Sequence, residues 1–181
     1  MVSELSNPLS LAPNASGKPG LAAEWTFHSD GLYCEDVRQL LALHFEQMRS
    51  MSPPGACHVL PINGLRSPAI TFWALRDCRR LLAVGALKHL GDRHGEVKSM
   101  RTAPEALRRG AGAAMLRHIL AEAHHRRYER LSLETGSTDM FQPALALYAR
   151  HGFTPCAPFA EYTPSPFTRF LTRELSSSAT D

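Results

Sequence analysis

A chain of 181 residues, 44% hydrophobic and 20% charged, has the makeup of one ordinary globular domain. Its formal net charge of +3 is too small to point to nucleic acid, and no apolar run approaches a membrane span of roughly 18–20 residues. The four cysteines, at 34, 57, 78 and 156, form neither a C-x-x-C pair nor a zinc pattern. They read as reduced thiols of a cytoplasmic protein, and no metal is expected.

Residues 1–22, rich in Ser, Pro, Asn, Ala and Gly, read as a flexible tail without the basic and apolar regions of a signal peptide. EWTFHS (24–29) alternates as a first strand. EDVRQLLALHFEQM (35–48) opens with acids and carries Val37, Leu40, Leu41, His44, Phe45 and Met48 at helical spacing. Pro53 and Pro54 end that helix. After an irregular stretch with room for a helical turn near 60, AITFWALRD and RLLAVGALKHL are two β-rich runs joined as a hairpin. HGEVKSMRTA is the next strand. A glycine turn follows, then a helix over about 110–127 with Met115, Leu116, Ile119, Leu120 and Ala123 as its apolar stripe. RLSLET is a strand, and DMFQPALALYARHGF is a short helix stopped by Gly152. FTPCAP and TRFLTREL supply two last short strands, before a second expected tail over 176–181. The order β-α-β-β-β-α-β-α-β-β, with three meandering strands before a helical crossover, implies an α/β fold. It has a mixed sheet with helices on both faces.

The turn RRGAGA (108–113) is the chemical question. A P-loop is excluded, because Gly112 is followed by Ala113 and Ala114 where Lys and Ser or Thr are needed. A dinucleotide turn would put Glu134 on a ribose. That motif needs a strand running straight into its first glycine, and Ala103 to Leu107 intervene. Two readings remain from the turn itself: a helix start packed tightly on the sheet, or main-chain N–H groups cradling an anion with help from Arg108 and Arg109. Arg117, Arg126, Arg127 and Arg130 extend the basic region, as a solvated face or as attraction for an anionic ligand. Upstream, alternation puts Glu96, Lys98 and Met100 on one face of their strand. Glu96 reads either as a general base or as a surface strand acid paired with Lys98. Tyr148, in ALALYARHGF, reads either as core or as a proton donor facing a cleft.

The strand EVKSMRTAPEAL, the loop RRGAGAAML, the strand LSLET and the helix ALALYARHGF, in that order, resemble the GNAT superfamily of acyl-CoA-dependent N-acetyltransferases. The resemblance spans 23–175, is sharpest over 81–153, and extends to a subgroup of small bacterial members. It implies a mostly antiparallel sheet of six to seven strands. The strand holding Glu96 would carry a bulge and splay from RLSLET. It implies acetyl-CoA as co-substrate. Main-chain groups near Met100, Arg101 and Thr102 would then pair with the pantetheine arm. Arg108, Arg109, Gly110, Ala111, Gly112, Ala113 and Ala114 would hold the pyrophosphate. Leu107 stands where the family usually has a polar residue, and Phe141 stands seven residues before Tyr148 where it often has Asn. Glu96 matches the catalytic base of some members, and Tyr148 the usual acid for the leaving thiolate. The acceptor side would involve His44, Arg49, His58 and the segment PFAEYTPSPF with Tyr162. Arg49 and His58 could hold a carboxylate, or be a solvated helix end and a satisfied loop residue. The resemblance implies transfer of an acetyl group to a small-molecule amine. A protein acceptor and a non-catalytic acyl-CoA sensor are the alternatives. It is compatible with a homodimer, and with neither nucleic acid nor membrane as partner.

Overall fold

The structure, a computed structural model, describes residues 25–29, 31–51 and 59–175, so the two expected tails and His58 lie outside the described residues. The strands are β1 (Trp25–His28), β2 (Ile70–Asp77), β3 (Arg80–Gly91), β4 (His94–Thr102), β5 (Arg130–Gly136), β6 (Thr154–Pro155) and β7 (Thr168–Glu174). The helices are α1 (Glu35–Met51), α2 (Ala111–His125) and α3 (Gln142–Arg150). The order of strands and helices is the one read from periodicity. Among the described residues, the loop before β2 contributes a 3-10 turn at Gly64–Arg66. FTPCAP yields only the two-residue β6, because Pro155 and Pro158 cannot donate to a ladder.

The seven strands form one sheet in the order β1-β2-β3-β4-β5-β7-β6, antiparallel throughout except for β4 and β5. Helices cover both faces. On one, His118 of α2 stacks on Phe27 at 3.9 Å, and Arg126 reaches Thr71 at 2.8 Å. On the other, Asp36 at the start of α1 takes both ends of the Arg76 guanidinium, and Arg76 has the opposite parity to Thr71 on β2. The predicted α2 stripe is wholly buried. Each such aliphatic side chain contributes about 1.5–3 kcal/mol relative to exposure. The α1 stripe behaves differently. Val37, Leu40 and Leu41 are in the core, but His44 and Met48 run past it and line a cleft.

Two local features open that cleft. The parallel ladder of β4 and β5 ends at Val97–Leu133, although β4 continues to Thr102 and β5 to Gly136. Just beyond that point β4 bulges. It advances three residues from Lys98 to Arg101, while β3 advances two from Ala86 to Val84. Ser99, at φ +52°, absorbs the extra residue in a left-handed conformation that costs a non-glycine residue roughly 1 kcal/mol. The bulge and splay implied by the resemblance are both present.

Candidate active site

The cleft, of about 280 Å³, lies where β4 leaves β5. Its walls come from α1 (His44, Gln47, Met48), β4 (Val97 to Arg101), the end of β5 (Glu134 to Gly136), the start of α3 with Tyr148, and Phe167–Thr168. Five consecutive β4 residues line it because the bulge breaks their alternation.

The end of α3 aims Tyr148. Gly152, at φ +80°, follows the helix and allows a Schellman close: its N–H donates to Ala149 O at 3.0 Å, and Phe153 N–H donates to Tyr148 O at 3.1 Å. The Phe153 ring meets the Tyr148 ring edge-on at 5.9 Å. Burial, and secondly the charge of Glu134, push the Tyr148 phenol up to about 12, so it stays protonated near neutral pH. Glu134 is the one carboxylate among the described residues lining the cleft. Burial pushes it up to about 7. Glu96 adds to the rise and Lys98 opposes it. A carboxyl half ionised near pH 7 is poised to take a proton.

Glu96 is almost wholly buried and does not line the cleft. Its Oε1 accepts from Lys98 Nζ at 2.9 Å and from the Tyr162 hydroxyl at 2.5 Å, and Lys98 Nζ also donates to the Tyr162 oxygen at 2.5 Å. The ionic pairing with Lys98 is therefore present, but inside the protein. Tyr162, read as an acceptor contact, is a member of this triangle and packs on Phe159 and Phe170. Burial and the neighbouring Glu96 hold its phenol well above the usual range.

The glycine turn separates its two glycines by job. Gly110, at φ +86°, caps α2 in a left-handed conformation with open space where a Cβ would go. Gly112 sits where a Cβ would come 3.1 Å from Thr102 Oγ1 and 3.6 Å from Leu147 Cδ2, so the first turn of α2 approaches both β4 and α3 closely. The first helical bond runs from Ala114 N–H to Gly110 O at 2.9 Å. The N–H groups of Ala111, Gly112 and Ala113 precede it and have no acceptor within the helix. Arg108 and Arg109 are both exposed, and Arg109 faces Asp77 at 3.7 Å. The tight-packing and cradle readings of the turn are both compatible with this arrangement, one for each glycine.

Met100 and Arg101 line the cleft, while Thr102 lies under the start of α2. Phe141, in the position often held by Asn, packs its ring where a Cβ on Gly136 would stand, and forms part of the cleft wall. Arg49 is exposed on α1, over the Phe45 ring at 5.7 Å, and is not among the described residues that line the cleft. Gln47, Lys98, Ser99 and Glu134 are among the cleft residues that the sequence does not mark as site residues. Glu134 was weighed only as a ribose ligand, although an acid at the splayed end of a strand was a usable signal. Ser99 became a cleft residue through the bulge, which shifts the parity that sequence alternation assigns.

Comparison with known proteins bears on this geometry. Residues 34–153 match the family model described as "Acetyltransferase (GNAT) family". The chain is 46% identical over 151 residues to a protein of Escherichia coli (strain K12) described as "Uncharacterized N-acetyltransferase YedL", covering 83% of this chain and 95% of that one. It is 47% identical over 146 residues to "Uncharacterized N-acetyltransferase YsnE" of Bacillus subtilis (strain 168), covering 81% and 97%. Among solved structures, a GNAT family acetyltransferase from Elizabethkingia anophelis with acetyl-CoA bound superposes with a TM-score of 0.59. It is 16% identical, over 83% of this chain and 98% of that one.

Proposed function

This chain belongs to the GNAT acetyltransferase family and is an N-acetyltransferase, and from that premise we propose that its donor is acetyl-CoA and its acceptor the amine of a small molecule. The observation that carries the reading is the meeting of a half-ionised carboxyl, Glu134, and a protonated phenol, Tyr148, in one cleft beside the splayed end of β4.

The chain has features that fit acetyl-CoA. The first-turn N–H groups of Ala111, Gly112 and Ala113, with the positive end of α2 and Arg108, suit a pyrophosphate. The main chain of Met100, Arg101 and Thr102, unpaired with β5, suits the amide-bearing pantetheine arm. Acetyl-CoA supplies the thioester carbonyl that is attacked and the thiolate that leaves. An acceptor amine is mostly protonated near neutral pH, and the Glu134 carboxylate takes that proton. Glu96 sits behind it. Its charge helps to keep the affinity of Glu134 for the proton high, and it orders Lys98 and Tyr162. Once Glu134 is protonated, one of the two influences that hold the Tyr148 phenol high is gone. Its O–H then donates more readily to the departing sulfur. The two groups are thus coupled in the order the reaction needs.

The test is release of coenzyme A thiol from acetyl-CoA, followed with a thiol reagent across a panel of amino acids, simple amines and peptides. Acceptor-dependent release with a small amine is expected. Release only with peptides would make the acceptor a protein, and binding without release would make the chain a sensor.

A further inference from the structure

Three buried polar atoms on one side of the cleft have no hydrogen-bond partner among the described residues: Arg101 Nε, Ser99 Oγ and His44 Nδ1. Buried polar groups are nearly always satisfied, so three unsatisfied atoms, closed to solvent but all carried by residues that line a single cleft, call for an explanation. Arg101 has no carboxylate within ion-pair reach among the described residues, whereas Arg76, Lys98 and Arg126 each have one. Its one side-chain partner is the neutral Gln47 on α1, which accepts from Nη2. That bond orients the guanidinium without neutralising it. His44 is held neutral, down to about 4, first by burial and then by Arg101 itself.

Resting on the reading above, we propose that Arg101, Ser99 and His44 form a subsite for a carboxylate on the acceptor, which is therefore an amino-acid-like amine. The planar guanidinium, its Nε–H still unused, matches a carboxylate. The serine hydroxyl and a neutral imidazole N–H can each add a donor. Glu134 serves the amine from the β5 wall of the same cleft. A bare ammonium without a carboxylate meets an unneutralised Arg101 and is disfavoured. The bulge at Ser99 builds this side, because it brings Ser99 and Arg101 to the cleft together with Lys98 and Met100.

The test reads binding without turnover. With coenzyme A present at saturation, matched pairs such as phenylalanine and phenethylamine, or leucine and isopentylamine, are titrated by calorimetry into the wild-type chain, Arg101→Gln, Arg101→Lys and Ser99→Ala. At least one amino acid is expected to bind roughly 10- to 100-fold more tightly than its decarboxylated partner, the range for a hydrogen bond to a charged group. Arg101→Gln abolishes that preference, Arg101→Lys restores part of it, and Ser99→Ala, which removes only a hydroxyl, weakens it severalfold. Equal binding within every pair, no binding by any amino acid, or a preference that survives Arg101→Gln overturns the proposal. A chain that binds the acids but never acetylates them keeps the subsite and loses the proposed function. One that acetylates bare amines equally well keeps the function and loses the subsite.

Discussion

Glu134→Gln turns the electrostatics of the cleft into a stability measurement that needs no substrate. The native carboxyl holds its proton up to about 7, against an ordinary value of 4.5. The native state therefore binds the proton more tightly than the unfolded chain, and stability must fall as pH rises. The contribution is fully present below 4.5, declines between 4.5 and 7, and is lost above 7. At 1.36 kcal/mol per pH unit, the wild-type loss amounts to about 3 kcal/mol above pH 7 and about 1 kcal/mol at pH 5. Glutamine does not titrate, so the stability gap between variant and wild type should grow by about 2–3 kcal/mol from pH 5 to pH 8.5. Urea denaturation of both proteins at the two pH values reads this directly. In melting temperature it is a widening of roughly 4–12 °C for a domain of this size. A gap that stays constant with pH, or closes as pH rises, would refute the reasoning, because it would mean that Glu134 is not a strained carboxyl in the native cleft.

The same variant should lose about 10²- to 10⁴-fold in kcat/KM and the rise in rate that wild type shows up to pH about 7; the pH–rate profile checks both. Tyr148→Phe removes only the phenol O–H and should lower kcat by about 10²-fold or more while acetyl-CoA still binds, as steady-state kinetics beside a binding titration will show. Glu96→Gln leaves Lys98 buried without its counter-ion and should cost about 3–5 kcal/mol in denaturation experiments, a large share of a typical domain's stability. Gly110→Ala forces a side chain into φ +86° at the start of α2. It should cost about 1–2 kcal/mol and weaken acetyl-CoA binding, both measurable on one preparation.

Local signals carried most of the fold. The α2 stripe, the Gly152 stop and the β2–β3 hairpin each depend on residues near one another in the chain, so periodicity and turn chemistry found them. Tyr148 was legible for the same reason, as a helix residue four before a stop glycine. Resemblance supplied the β4 bulge, which no glycine marks: Ser99 adopts a positive φ that serine seldom takes, and the parity of Ser99 and Arg101 changes with it. Burial was the other thing hidden. Glu96 and Glu134 are both strand acids in the sequence, and only the packing of Lys98 and Tyr162 around one, and the open end of β5 beside the other, separates a buried counter-ion from a cleft carboxyl.

The central claim is that the start of α2 and the splayed end of β4 receive acetyl-CoA. Calorimetric titration of the purified chain with acetyl-CoA, with NADH and NADPH as controls, tests it most directly. The account predicts saturable one-to-one binding of acetyl-CoA and none of either nicotinamide cofactor. Binding of NADH or NADPH, or no binding of acetyl-CoA, would contradict it.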